Sequence, residues 1–183
     1  IKSENENVKI MAYMQNSYFN RSFRKFCSHQ NTPNDPKSRL PGAIIADNNI
    51  AYIAWDIFSE YGEHGAYHQK RIVCDILDIL LENNKTLETT LASNGVVTLM
   101  EQKKQNRYVN HLLYAVTKLR GNTEVIEDAA EIINTKVSIK LPQKPSRVYF
   151  APDNIDIPYT YENGKLSYTI DKFVLHGMVV IDK

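Results

Sequence analysis

The sequence is sparing in the residues that mark specialised scaffolds. Its 183 residues include two cysteines, Cys27 and Cys74, far apart and in no C-x-x-C pair. Neither a zinc ribbon nor the disulfide framework of a small secreted domain is therefore encoded. Glycine is scarce, with seven in the chain, and neither G-x-G-x-x-G nor G-x-x-x-x-G-K-[ST] is among them, which excludes the two common phosphate-cradling loops. No sign of charge dominates: 22 basic and 21 acidic side chains leave a formal charge of +1. No block of like charges is long enough for a nucleic-acid tail or a membrane-surface patch. No apolar run approaches the ~20 residues that span a bilayer, and no basic-then-apolar leader is visible. The chain reads as soluble, cytoplasmic or periplasmic, with no nucleic-acid, membrane or cofactor partner expected. It contains no internal repeat and no low-complexity tract.

What is present suffices for a packed protein. An apolar content of 43% with 10% aromatics supports one ordinary domain or two small ones. The opening IKSENENVKIMAYM lacks an initiator methionine and enters an apolar strand within a few residues, which reads as a piece of a longer protein. VKIMAYM (8–14) has the composition of a buried strand. The polar, proline-containing stretch from Gln15 to Pro41 is a long loop, and loops of that length usually have a task. GAIIAD and IAYIAWDIF flank Asp47-Asn48-Asn49 and predict a hairpin across an Asx-rich turn. In GAYHQKRIVCDILDILLENN, residues Ile72, Val73, Ile76, Leu77, Leu80 and Leu81 fall at three- and four-residue spacings, the apolar stripe of an amphipathic helix.

After about Glu88 the helical period disappears. GVVTLMEQ, RYVNHLLYAV, TKVSIKL, RVYFAP, IPYTYENGKLSYTI and HGMVVID predict six or seven strands with turn residues between them. Asn163-Gly164 is the strongest hairpin signal, because a two-residue primed turn needs positive φ at both positions. The expected architecture is α+β: an α/β segment over residues 1–87, then an antiparallel β-sandwich over residues 88–183.

Four groups of residues invite a chemical reading. Cys27 with His29 or His64 offers a nucleophile and a base, but the sequence identifies neither an orienting residue nor an oxyanion hole, and a cysteine beside Phe26 is more often a small packed hydrophobe. His64 and His68, four apart with Glu63 beside them, have a spacing that suits a metal on one helical face. The H-E-x-x-H order of a catalytic zinc site is absent, so solvated histidines and a helix-terminal glutamate are the plainer reading. Asp56, Glu60 and Glu63 are the acids clustered near the helix start, and such carboxylates are more often caps or surface charges than a glycosidase pair. Tyr149, Tyr159, Tyr161 and Tyr168 suit either sugar stacking on an exposed face or ordinary cross-strand packing, with packing favoured.

The segments YFNRSFRKFCSHQNTP, PGAIIADNNIAYIAWDIFSEYGEHGAYHQKRIVCDILDILL, GVVTLMEQKKQNRYVNHLLYAV and SRVYFAPDNIDIPYTYENGKLSYTIDKFVLHGMVVID together resemble the C-terminal region of bacterial β-galactosidase-like glycoside hydrolases. The most specific pieces are the Asn20–Pro33 loop and the Arg107–Tyr114 strand. Such proteins are similar to glycoside hydrolase family 42, in which a catalytic TIM barrel precedes a flavodoxin-like trimerisation domain and a small C-terminal β domain. The resemblance implies that residues 1–87 are the last part of a flavodoxin-like domain and that the catalytic acids lie upstream. A (β/α)8 barrel needs about 250 residues, more than the whole chain, so no catalytic residue is assigned. It implies as partners the protein's own upstream barrel and the subunits of a homotrimer. Arg21, His29 and Gln30 become candidates for contacts with the barrel rim or a neighbouring subunit's substrate cleft; a loop held by its own Asn20 and Ser28 side chains is the competing reading. The expected role is non-catalytic and structural, in assembly. The alternative is a carbohydrate-binding module using exposed tyrosines, and a third reading is a free-standing hydrolase built on Cys27 and His29.

Overall fold

The computed structural model describes residues 7–28, 31–47, 49–82 and 84–183. It divides into two compact units, Ile1–Asn84 and Lys85–Lys183. The division lies slightly before the 87/88 boundary expected from sequence, because Leu87–Thr89 pairs with a strand of the second unit.

The first unit comprises β1 (Val8–Met14), β2 (Leu40–Ala46), β3 (Ile50–Ile53), α1 (Ile57–His64) and α2 (Tyr67–Leu80). The strands form one sheet in the order β1-β2-β3, and both pairings are antiparallel. A flavodoxin-like domain is built mainly on parallel strands, so these three strands lend that expectation no support. The hairpin forms as expected, but the apolar run that suggested a single strand through Phe58 ends at Ile53. Asp56 then caps α1, its Oδ1 accepting from the Ser59 amide at 3.4 Å, and Gly65 closes that helix in the left-handed region, where glycine meets no Cβ penalty.

Helix α2 lays Ile72, Ile76, Ile79 and Leu80 on Ala43, Ile45, Ala51 and Ile53 of the sheet. Leu77 and Leu81, part of the expected stripe, stay exposed. Gly42 is required by close approach: a Cβ there would meet Trp55 and Met14 at 2.9 and 2.4 Å. Trp55 in turn donates its Nε1–H to Oε1 of buried Gln69 at 2.8 Å, satisfying a polar side chain that would be costly to bury alone.

Strand β1 is only partly buried rather than of the buried type. The sheet face away from α2 carries two cross-strand rows, Ile10–Ile44–Tyr52 and Val8–Ala46–Ile50. Both rows are wholly apolar, with Ile50 64% and Tyr52 57% exposed.

The second unit contains β4 (Leu87–Thr89), β5 (Val96–Gln102), β6 (Arg107–Leu113), β7 (Lys118–Arg120), β8 (Thr123–Val125), β9 (Glu131–Lys140), β10 (Arg147–Ala151), β11 (Ile155–Asp156), β12 (Tyr159–Glu162), β13 (Lys165–Val174) and β14 (His176–Asp182). A five-stranded sheet, β11-β10-β14-β6-β5, packs on a four-stranded sheet, β12-β13-β9-β4, while β7 and β8 form a separate hairpin. All pairings are antiparallel. The predicted Asn163-Gly164 turn joins β12 to β13 with φ of 51° and 76°, as the primed turn requires.

One core fills the space between the sheets. Leu112, Val148, Val179 and Ile181 come from the five-stranded sheet, and Val137, Ile139, Leu166, Ile170 and Phe173 from the four-stranded one. Each such side chain contributes roughly 1.5–3 kcal/mol by leaving water, so this cluster holds the sandwich together.

Candidate functional site

The Asn20–Pro33 loop is an excursion between β1 and β2 whose two limbs are tied together. Tyr18 N donates to Pro33 O at 2.8 Å, and Asp35 N donates to Asn16 O at 2.8 Å. Arg21 works inside this excursion: its Nε donates to Thr32 Oγ1 and its Nη2 reaches Cys27 Sγ, both at 3.3 Å. The Cys27 thiol donates to Asn31 O at 3.6 Å, and neither cysteine is in a disulfide. Arg21 thus spans the loop's own limbs. His29 and Gln30, the other two candidates, lie outside the described residues. What the loop presents outward is aromatic, with Phe23 97% and Phe26 77% exposed. Together with Tyr18, Phe19, Arg24 and Lys25, Phe26 lines a shallow hollow of about 530 Å3.

The residues around the helices do not assemble a reaction centre. His64 ends α1 and His68 lies in α2, with Gly65 in the left-handed region between them, so the two do not share a helical face. Among the described residues no group of three potential metal ligands comes together. Asp56 is a cap, and Glu60 faces His64 one turn on at 3.6 Å. The acidic trio is thus a cap and surface charges, as the plainer reading had it.

Three of the four tyrosines, Tyr159, Tyr161 and Tyr168, fall on the inside of the sandwich. Tyr168 is buried and donates its hydroxyl to Asn110 Oδ1 at 2.7 Å, while Asn110 Nδ2 donates to Thr98 O at 2.8 Å. This chain of bonds crosses from β13 to β6 to β5, and burial pushes the Tyr168 phenol up from its ordinary value. Tyr159 and Tyr161 pack against the core and donate to Pro145 O at 2.7 Å and Leu141 O at 3.0 Å. Tyr149 sits under the Arg147 guanidinium, 4.4 Å from the ring centroid. The exposed tyrosine platform expected of a carbohydrate-binding module is therefore not formed by these four residues.

Two further features carry no obvious local signal in the sequence. On the outer side of the four-stranded sheet, the register aligns Thr160, Ser167, Ser138 and Glu88 in one row across all four strands, with Thr169 opposite Lys136 beside it. These residues, with Thr90, Pro158 and Asp171, line a concavity of about 770 Å3. Ser138 Oγ and Ser167 Oγ lie 3.0 Å apart, and Lys165 Nζ pairs with Glu88 Oε2 at 2.5 Å. On the other sheet, His111 Nδ1 and His176 Nε2 face each other at 2.9 Å with rings inclined by 14°. Partial burial, and then the neighbouring His176, lower the His111 pKa. Only register reveals either grouping, since their members are up to 65 residues apart in sequence for the histidines and 77 for Lys165 and Glu88.

No protein-family model matches the chain, and no curated protein matches it. Among solved structures, α-L-fucosidase isoenzyme 2 from Paenibacillus thiaminolyticus superposes with a TM-score of 0.84 at 37% sequence identity, over 92% of this chain and 26% of that one. This chain is similar to about a quarter of a bacterial fucosidase. The likeness spans both units, and it supports a glycoside hydrolase-related β-rich piece. It gives no support to the narrower likeness to family 42 β-galactosidases, because the enzyme that carries this structure is named for another sugar. Among the described residues, no helix is long and apolar enough to cross a membrane.

Proposed function

We propose that the chain is a non-catalytic accessory and assembly portion of a longer glycoside hydrolase, with the catalytic barrel encoded upstream. The observation that carries this reading is the match to a glycosidase of which the chain covers 26%. A consistent second observation is the apolar outer face of the first unit's sheet. Contiguous apolar patches on soluble proteins mark interaction surfaces, and a sheet with α2 on one side has room for a further layer of protein on the other. In this reading the Asn20–Pro33 loop offers Phe23 and Phe26 to the barrel rim or to a neighbouring subunit in a trimer, with Arg21, His29 and Gln30 as the polar contacts, Arg21 also bracing the loop through Thr32 and Cys27.

The finer assignment, a β-galactoside as the substrate of the complete enzyme and a flavodoxin-like frame around the first unit, stays with this proposal and draws no support from the antiparallel sheet. The purified chain should hydrolyse neither a nitrophenyl α-L-fucoside nor a nitrophenyl β-galactoside, whereas the polypeptide including its upstream region should hydrolyse one of them. Turnover by the 183-residue chain alone overturns the reading. For the loop, His29→Ala in the complete enzyme should change turnover or subunit assembly, and no change in either would remove the loop from the contact surface.

A further inference from the structure

We propose that the concave outer face of the four-stranded sheet in the second unit is a binding site for a neutral saccharide. Its chemistry selects the ligand class. The floor is made of short hydroxyl side chains on the two central strands, Ser138, Ser167 and Thr169, with longer or bulkier residues, Glu88, Lys136 and Pro158, around them. This contrast in side-chain length hollows the face. The lining offers hydroxyls, one ammonium and two carboxylates, a mixture of donors and acceptors near charge balance. Such a surface does not attract a polyanion, which needs an excess of basic groups. A lipid or an apolar peptide would need an apolar floor. A polyhydroxylated ligand matches it, since each sugar hydroxyl both donates and accepts.

Several of these groups are poised for a ligand because nothing in the protein occupies them. Among the described residues, the Lys136 ammonium, the Asp171 carboxylate and the Thr160 and Thr169 hydroxyls have no hydrogen-bond or ion-pair partner. All four belong to exposed residues. Lys136 and Thr169 are directly opposed across β9 and β13, and Asp171 follows Thr169 by two residues along β13. Strands lie about 4.8 Å apart and two residues along a strand span about 6.8 Å, so the three groups surround an area on the scale of a sugar ring. Charged donors and acceptors make the stronger hydrogen bonds, which assigns Lys136 and Asp171 the main share of recognition. Thr160 and Thr169 orient the ring, and Pro158 supplies a small apolar contact.

The site deepens the accessory reading and borrows from it only the choice of sugars to try. The isotope-labelled 183-residue chain is titrated with L-fucose, galactose and a neutral fucosylated oligosaccharide, and its backbone amide spectrum is followed. Saturable shifts confined to residues 136–138, 158–160 and 167–171 are expected. Asp171→Ala should weaken binding about tenfold, the loss of one charge-assisted hydrogen bond, and Thr169→Val should weaken it less, both with the rest of the spectrum unchanged. Shifts confined to other residues, unchanged affinity in both variants, tighter binding of dextran sulfate than of any sugar, or no saturable shift with any of the three sugars would overturn the site. The two readings fail separately: a sheet face that binds no sugar overturns the saccharide site alone, while hydrolysis of the sugar during the titration overturns the accessory reading alone.

Discussion

The outer face of the first unit's sheet and that of the second unit's four-stranded sheet invite direct comparison. Both belong to antiparallel sheets whose inner side chains pack on a core, yet one presents Ile10, Ile44, Tyr52, Val8, Ala46 and Ile50 and the other Thr160, Ser167, Ser138 and Glu88. An apolar outer face costs free energy in water and loses that cost when it is buried. A hydroxyl-lined outer face is at home in water and gives up its hydration only to a ligand that replaces the lost hydrogen bonds. The difference teaches that the first unit leaves apolar surface whose burial would be favourable, whereas the second leaves a face that water satisfies.

The comparison is sharpened most by moving from outer to inner face within one strand. Ile139→Ala in β9, whose side chain is buried between the sheets, should cost about 2–5 kcal/mol. Its strand-mate Lys136→Ala, on the outer face, should stay within about 0.5 kcal/mol. Urea unfolding read by amide signals of the second unit measures both, and equal costs would break the distinction between the faces.

Next in size is the hydrogen-bond chain inside the sandwich. Tyr168→Phe removes the donor to the buried Asn110 Oδ1 and should cost about 1–3 kcal/mol by leaving that oxygen unsatisfied. An unchanged urea midpoint would show that water replaces the lost bond.

A smaller effect on stability, but the most direct test of the apolar face, comes from Ile50→Lys with Tyr52→Lys. Each should alter the stability of this chain by no more than about 0.5 kcal/mol, followed through the single tryptophan, Trp55, which reports on the first unit alone. The same pair should reduce self-association at high protein concentration and disturb assembly of the complete polypeptide. Unfolding of the first unit by these lysines would mean that the face already belongs to a core.

The smallest expected effect is a pH dependence on the second unit's other sheet. Because the folded state lowers the His111 pKa, the unfolded chain takes up a proton first as pH falls. Stability should be full above the ordinary histidine value of about 6.5, decline below it and level off once the folded His111 also titrates. His176→Ala removes the neighbouring charge and should weaken that decline without abolishing it, since burial lowers the pKa more. Thermal melts between about pH 5 and pH 8 measure it, and an identical pH profile in the variant would rule out coupling between the two rings.

Much of the local structure is legible in the sequence, for identifiable reasons. The Asn163-Gly164 turn, the Asp47–Asn49 hairpin and the helix over Tyr67–Leu80 each rest on signals carried by adjacent residues. Helix α1 escapes detection because its eight residues follow an apolar strand without a break in composition, and only Asp56 marks the cap. Strands β4, β7, β8 and β11 escape because two or three residues are too few to show alternation. The candidate sites were less legible still. Arg21 reads as a contact residue in the sequence, and nothing local announces that it also bonds Thr32 and Cys27 of its own loop. The tyrosines at 159, 161 and 168 announce a face of the sheet, but nothing local says whether that face turns inward.

By itself the sequence determined the longer elements of this protein, the polar and apolar alternation along their strands, and the scarcity of groups able to perform chemistry. Tertiary structure alone decided that the first sheet is antiparallel, that Tyr159, Tyr161 and Tyr168 point into the core, and that Thr160, Ser167, Ser138 and Glu88 form one row. The physical reason is that alternation has a period of two and so separates the two faces of a strand, whereas strand order and the side that meets the core follow from pairing with residues far away in the chain.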